Sequence, residues 1–121
     1  NMRTWDNTIM LNGREDMIKQ VRELCHNFNH LFSLVVLFGS TARGESTVDS
    51  DVDLYIESEY MPTGKLLTNK EMFDFHSKLW SILGDVEFDL LSYGRNELKS
   101  VRNSLFYKQV EKDGIILYDE R

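Results

Sequence analysis

The stretch that decides the fold is residues 37–54, which read LFGSTARGESTVDSDVDL. An apolar run ends at Gly39, Ser40 follows it, and ten residues later Asp51 and Asp53 stand two positions apart. A glycine after a buried strand lets the backbone turn sharply and approach a ligand closely. Because residues two apart on a strand face the same side, we expect the two carboxylates to project together.

The turn after Gly39 has the outline of a phosphate-binding segment. We expect Ser40 to cap a short helix over residues 41–43, whose free N–H groups would form an anion site. Arg43 adds a positive charge near that site, although a surface ion pair with Glu45 or Asp49 is an equal alternative. The segment differs from a P-loop because no Gly-Lys-Ser/Thr triplet follows at the required spacing.

A third carboxylate, Asp89, lies in the later strand-like run 86–92. The apolar residues on either side of Asp89 face the core, so Asp89 faces the opposite side. If this strand neighbours the one that carries Asp51 and Asp53, three carboxylates converge. Such groups repel one another unless a proton or a cation intervenes, and Mg²⁺ takes one or two carboxylates plus substrate phosphates. The pattern predicts a two-metal site for phosphoryl or nucleotidyl transfer. The alternative for Asp51 and Asp53 is an ordinary solvated strand face.

The remaining sequence alternates between helical and strand patterns. Helices are expected at about 14–30, from 68 to 83 and from about 98 to 110, and strands at 34–38, 51–57, 86–92 and 115–118. Thr68 and Glu71 form a candidate capping box for the second helix, and the segment 58–64 around Pro62 is expected to be a surface loop. The order of elements predicts an α/β or α+β fold, with a small mixed sheet flanked by about three helices.

Length and charge limit the functional classes. The 121 residues predict one domain over residues 2–121. With 14 basic and 20 acidic residues, the net charge of −6 argues against a protein that coats duplex DNA. Cys25 is the only cysteine, which excludes an internal disulfide and favours a reducing compartment such as the cytoplasm. No apolar run approaches the length of a membrane span.

At the Gly-Ser and Asp-x-Asp residues the sequence resembles the minimal nucleotidyltransferases of the DNA polymerase β-like superfamily. The family pattern is Gly-Ser, ten residues and Asp-x-Asp, which is matched by Gly39-Ser40, residues 41–50 and Asp51-Val52-Asp53. The resemblance implies the polymerase β-like nucleotidyltransferase fold. It also implies that Gly39 and Ser40 hold the phosphates of the nucleotide, and that Asp51 and Asp53 bind Mg²⁺. Asp89 matches the third carboxylate of the family, which binds metal or activates the acceptor hydroxyl.

The resemblance further implies a reaction and a partner. Two Mg²⁺ ions held by Asp51, Asp53 and Asp89 would bind ATP, and AMP would pass to a hydroxyl with Asp89 as the general base. Many minimal nucleotidyltransferases are encoded beside a HEPN-type protein, which is a toxic RNase that its antitoxin adenylylates. Two other functions stay open: a binding module that masks its partner, and a small-molecule enzyme like the aminoglycoside nucleotidyltransferases. The latter usually carry a further acceptor domain, for which we expect no room here. The sequence leaves the acceptor, the base specificity and the oligomeric state open.

Overall fold

A four-stranded mixed sheet organises the protein. The computed structural model describes residues 13–44 and 51–121. The strands are β1 (Leu34–Phe38), β2 (Val52–Glu57), β3 (Phe88–Tyr93) and β4 (Ile115–Asp119). Their order across the sheet is β3-β2-β1-β4, in which β1 runs antiparallel to both β2 and β4, and β2 runs parallel to β3. This arrangement confirms the expected fold class and mixed sheet.

The helices are more numerous than the three expected. In the described ranges they are α1 (Gly13–Asn27), α2 (Thr63–Leu67), α3 (Lys70–Leu83), α4 (Leu98–Arg102) and α5 (Leu105–Asp113), with a 3₁₀ turn at Asn29–Leu31. Part of the expected loop at 58–64 belongs to α2. The expected third helix is divided because the Ser104 side chain caps a new helix by accepting a hydrogen bond from the Tyr107 amide. None of the helices within these two ranges is long and apolar enough to cross a membrane.

The start of α3 corrects one sequence prediction. Asn69 is the N-cap, and its side chain accepts a hydrogen bond from the Glu71 amide at 2.8 Å. Thr68 instead donates its hydroxyl to the carbonyl of Gly64, because α2 extends to Leu67 and uses Thr68 to finish its last turn. The capping box from Thr68 to Glu71 is therefore wrong, although the helix lies where it was expected.

Both faces of the sheet are covered. The main core lies between the sheet and helices α1 and α3, and the Phe75 ring meets Phe28 and Phe32 edge to face near its centre. A second cluster on the opposite face packs β1 and β2 against α4 and α5. Its fully buried centre is Tyr55, which lies two residues beyond Asp53 on the same face of β2.

A buried ion pair closes this second cluster. Glu57 is fully buried on β2, where Arg102 from α4 donates to both of its carboxylate oxygens and the Tyr55 hydroxyl donates to Oε2 at 2.6 Å. The hydrogen bond to Glu57 raises the pKa of Arg102, which stays charged. Because Tyr55 and Glu57 are buried, the face of β2 that carries them is accessible only at the start of the strand, at Asp53.

Candidate active site

The carboxylates predicted from sequence come together at one end of the sheet. Asp53 on β2 is the register partner of Asp89 on the parallel strand β3. Asp51 lies immediately before β2, where it lines the same cavity as Asp89 and is close enough to Asp53 to repel its charge. Asp51 and Asp53 are half-buried, whereas Asp89 is exposed. The two strands that carry these carboxylates are therefore neighbours. The sequence alone did not determine whether they would be.

Burial and like charge act on the central carboxylate. The pKa of Asp53 is raised, first because burial removes water from the carboxylate, and then because Asp89 and Asp51 repel its negative charge. A group in this position gains from any cation that neutralises the repulsion. The electrostatics therefore favour a cation beside Asp53.

The donor set suits magnesium. Carboxylate oxygens are hard ligands, and Mg²⁺ usually keeps several waters while taking one or two carboxylates together with substrate phosphates. Within residues 13–44 and 51–121, no three His, Cys, Asp or Glu side chains are close enough together to hold a metal ion by themselves. Asp53 and Asp89 fit a site in which the nucleotide supplies the remaining oxygens.

The backbone of Gly39 lies directly against the carboxylate of Asp53. Its φ of +81° is a conformation that side chains disfavour, and a Cβ there would lie 2.6 Å from the Asp53 Oδ2 atom. Phe38, the preceding residue, is the register partner of Asp53 on β1. Glycine is therefore required at this position both for the turn and for the close approach of the Asp53 carboxylate to the backbone.

The segment after Gly39 forms a single turn instead of the expected short helix. The Arg43 amide donates to the Gly39 carbonyl at 3.1 Å, and the Gly44 amide donates to the Thr41 carbonyl at 3.2 Å. These two bonds close one turn over residues 40–44, which ends at Gly44 in another positive-φ conformation. Ser40 lies half-exposed in this turn, so the helix that it was expected to cap is absent from this segment.

Arg14 is a residue at this site that sequence reasoning missed. Its Nε donates to the Thr41 carbonyl at 2.8 Å and its Nη2 donates to the Ala42 carbonyl at 2.7 Å. Thr41 in turn donates its hydroxyl to the Asp51 carbonyl at 3.2 Å. Arg14 therefore positions the turn, and Thr41 ties the turn to the start of β2. The first turn of an amphipathic helix carries no sequence signal for such a contact.

Arg43 reaches toward α5. Its Nη1 lies 3.3 Å from the Asp113 Oδ2 atom at the end of that helix. Glu45 and Asp49, its two partners expected from sequence, fall in the segment 45–50, outside the described residues. A role for Arg43 in nucleotide binding stays a prediction.

Across this end of the sheet the groups follow one order. Gly39 and its turn lie at β1, Asp53 at β2 and Asp89 at β3. A backbone that a phosphate can approach therefore stands beside two carboxylates that can share a cation with that phosphate. Such an arrangement can support transfer of a phosphate-linked group between two oxygens.

Comparison with known proteins agrees with this chemistry. A family model described as polymerase beta, nucleotidyltransferase matches residues 19–121. No curated protein matches the chain significantly. Among solved structures, a toxin-antitoxin crystallised with AMP-PNP is 23% identical, with a TM-score of 0.59 over 86% of this chain and 74% of that chain. A MNT antitoxin in complex with a tri-AMPylated HEPN toxin from Shewanella oneidensis is 20% identical, with a TM-score of 0.54 over 88% and 72%.

A third structure, the toxin-antitoxin MntA-HepT, is 20% identical with a TM-score of 0.52 over 87% of this chain and 72% of that chain. At these identities the likeness concerns the fold, which is the polymerase β-like nucleotidyltransferase fold expected from sequence. The family match covers most of the chain and includes the Gly-Ser turn and all three aspartates. The chain therefore belongs to the polymerase beta nucleotidyltransferase family.

Proposed function

We propose that this chain is a Mg²⁺-dependent nucleotidyltransferase that transfers AMP from ATP to a hydroxyl of a HEPN-type partner protein, and so acts as an antitoxin. The observation that carries the proposal is the register pairing of Asp53 with Asp89, next to the Gly39 backbone that lies against the Asp53 carboxylate. Residues 2–121 act as one catalytic domain in this proposal.

In this proposal Asp51, Asp53 and Asp89 would bind the Mg²⁺ ions together with the phosphate oxygens of the nucleotide. When bound, Mg²⁺ supplies positive charge that orients the triphosphate and offsets the charge of the leaving pyrophosphate. Gly39 and Ser40 would hold the phosphates, because the turn that they begin lies directly beside the Asp53 carboxylate and would therefore lie beside a cation bound to it.

The exposed position of Asp89 suits the role of general base. Its carboxylate accepts the proton of the acceptor hydroxyl as that oxygen attacks the α-phosphorus. A new oxygen–phosphorus bond forms, the bond between the α-phosphorus and the bridging oxygen breaks, and pyrophosphate leaves with that electron pair. The products are an AMP ester of the acceptor and pyrophosphate, so atoms and charge balance.

The choice of donor and acceptor follows the fold relatives. One was crystallised with AMP-PNP and another lies in complex with a HEPN toxin that carries AMP groups. We extend both features to this chain as parts of the proposal. The extension is supported by family membership and by a site whose geometry suits transfer to a hydroxyl.

A transfer assay tests the proposal. The chain is mixed with Mg²⁺, the product of the gene adjacent to its own, which the proposal takes to be of the HEPN type, and ATP labelled either at the α- or at the γ-phosphate. We expect the α-label alone to appear on the partner, and the combined Asp51→Asn and Asp53→Asn substitutions to abolish it. Asp74→Asn, which neutralises an exposed carboxylate on α3, is the matched control and should transfer normally. Partner binding and neutralisation that survive the double substitution, without any label, would instead establish a masking module.

A further inference from the structure

An exposed aromatic surface lies along α3 beside the site. Phe73 and Trp80 are each 63% exposed, although large apolar side chains of a helix normally face the core. Between them His76 packs its ring against Phe88 of β3, with centroids 4.8 Å apart, and meets the Trp80 ring at 6.3 Å. The three α3 residues therefore form a second, solvent-facing stripe that leans on the neighbouring strand.

Two adjoining cavities join this stripe to the carboxylates. One has a volume of about 540 Å³ and the other about 350 Å³, and both are lined by His76, Phe88 and Asp89. The first reaches Asp51, and the second reaches Ser92 farther along β3. We call this continuous depression, from Asp51 to Ser92, the β3 groove.

The β3 groove is acidic where it meets the site. The first cavity is lined by four carboxylates, at Asp51, Asp85, Glu87 and Asp89. Within the described part of the chain, no lysine or arginine lines either cavity. An occupant that matches this surface carries positive charge near the site and apolar groups beside Phe73 and Trp80.

The outer edge of β3 in the described sheet presents backbone N–H and C=O groups that do not pair with β2. In the described sheet β3 is an outer strand, and its Glu87 and Tyr93 carbonyls accept hydrogen bonds from the β2 side. Because pairing alternates along a parallel strand, the residues between them at 88, 90 and 92 turn their N–H and C=O groups to the open edge. The Ser92 hydroxyl, which lines the second cavity, is buried without a hydrogen-bond partner. Extended polypeptide satisfies the open N–H and C=O groups at 88, 90 and 92 by pairing with the strand edge.

The position of the groove decides which reactant it serves. Gly39 and its turn lie on the β1 side of Asp53, whereas the β3 groove begins on the opposite side, at Asp89. An anionic nucleotide matches the first side, whereas Asp85 and Glu87, which no metal ion is proposed to neutralise, disfavour it on the second. We infer that the β3 groove binds an extended, basic and apolar segment of the protein whose hydroxyl accepts the nucleotide. This inference rests on the proposed function and names the docking surface for its acceptor.

Binding measurements on surface variants test the inference. The probe is the purified product of the adjacent gene, which the proposed function takes to be of the HEPN type, titrated with the unaltered chain and with Trp80→Glu or Phe73→Glu. Leu105→Glu on α5, where the side chain is 82% exposed, is the matched control away from the groove. We expect at least a tenfold loss of affinity for the two groove variants, since exposed aromatics at interfaces dominate binding, and no change for the control.

A second pair of variants tests the charge of the groove. Asp85→Asn with Glu87→Gln should weaken binding several-fold and reduce its dependence on salt, whereas Glu111→Gln on α5 should leave both unchanged. All variants should keep the stabilisation by Mg²⁺ and ATP, which shows an intact fold and nucleotide site.

The outcomes separate this inference from the proposed function. Groove-dependent binding without any AMP transfer would uphold the docking surface and refute the enzyme. AMP transfer together with binding that Trp80→Glu and Phe73→Glu leave unaffected would uphold the enzyme and refute the docking surface. The inference is also overturned if the unaltered chain does not bind the probe. Loss of the stabilisation by Mg²⁺ and ATP in the groove variants would overturn it too, because the groove would then be part of the nucleotide site. Conversion of a dimer of this chain to a monomer by these variants would overturn it as well, because the groove would then be a dimer interface.

Discussion

Asp53 on β2 and Asp89 on β3 are register partners on parallel neighbouring strands. Neighbouring strands lie about 4.8 Å apart, and like charges directly opposite each other destabilise a sheet. Asp53 is also half-buried, and its pKa is raised by that burial and by its two acidic neighbours. The fold therefore carries an electrostatic cost at this site that a bound cation relieves.

Removing the charge of Asp53 should stabilise the metal-free protein. We expect Asp53→Asn to raise the Tm at neutral pH by a few degrees, because the amide keeps the shape of the carboxylate and loses the repulsion. The same variant should lose most of the stabilisation by Mg²⁺ and ATP. Thermal melts with and without Mg²⁺·ATP measure both effects, with Asp74→Asn as the control. A lower Tm for Asp53→Asn without metal would show that the carboxylate supports the fold.

The stability difference between the Asp53→Asn variant and the unaltered chain should depend on pH in a defined direction. The folded state raises the pKa of Asp53 above its ordinary value of 3.8, so it binds the proton more tightly than the unfolded state does. Ionised Asp53 therefore destabilises the fold above the raised pKa, and this effect fades as the pH falls toward 3.8 and below. We expect the advantage of Asp53→Asn to be largest at neutral pH and to vanish in acid. Urea unfolding at several pH values checks this, and a constant difference would contradict it.

Gly39 should tolerate no side chain. Alanine at a positive φ costs about 1–2 kcal/mol in stability, and at Gly39 the added Cβ would also press on the Asp53 Oδ2 atom. We expect Gly39→Ala to lower stability by at least this amount and to lose AMP transfer. Gly84→Ala is the matched control, because Gly84 has a similar φ of +64° with open space around it. It should show the strain alone, and equal loss of nucleotide-dependent stabilisation in both variants would argue against a special role for Gly39.

Arg14 should act on the turn at residues 40–44 from outside it. Its fork holds the carbonyls of Thr41 and Ala42 together, and a lysine cannot make both bonds in that geometry. We expect Arg14→Lys to raise the KM for ATP several-fold with a smaller change in kcat, since the turn loses position and the carboxylates are unchanged. Arg22→Lys is the control, because Arg22 on the same helix donates to the Ile116 carbonyl away from the turn. Equal kinetics for both variants would assign Arg14 a purely structural role.

Sequence predicted the parts of this site that depend on local pattern. The apolar run before Gly39 and the alternation around Asp53 and Asp89 are properties of single strands, so the strands and the faces of their carboxylates could be read directly. The register that sets Asp53 opposite Asp89 is a property of two distant segments, and sequence supplied it only as a condition. The structure shows that β2 and β3 are neighbours in this register.

The parts that sequence missed depend on tertiary contacts. Arg14 binds a turn 27 residues away, and Glu57, read as the end of a half-polar strand, is buried because α4 brings Arg102 to it. The division of the last helix at Ser104 was also missed, because apolar spacing continues across the break while the cap depends on a single hydroxyl. Helical periodicity carries no information on any of these contacts.

The buried pair of Glu57 and Arg102 should be the most sensitive point of the fold outside the site. Arg102→Ala would leave Glu57 fully buried with its charge unpaired, which typically costs about 3–5 kcal/mol. We expect urea unfolding to show a loss of this size, and adding Glu57→Gln to recover a large part of it because the amide carries no charge. Arg121→Ala is the control, since its pair with Asp119 is 37% and 28% exposed and should contribute under about 1 kcal/mol. If adding Glu57→Gln recovered none of the lost stability, Arg102 would stabilise β2 through packing and not through charge.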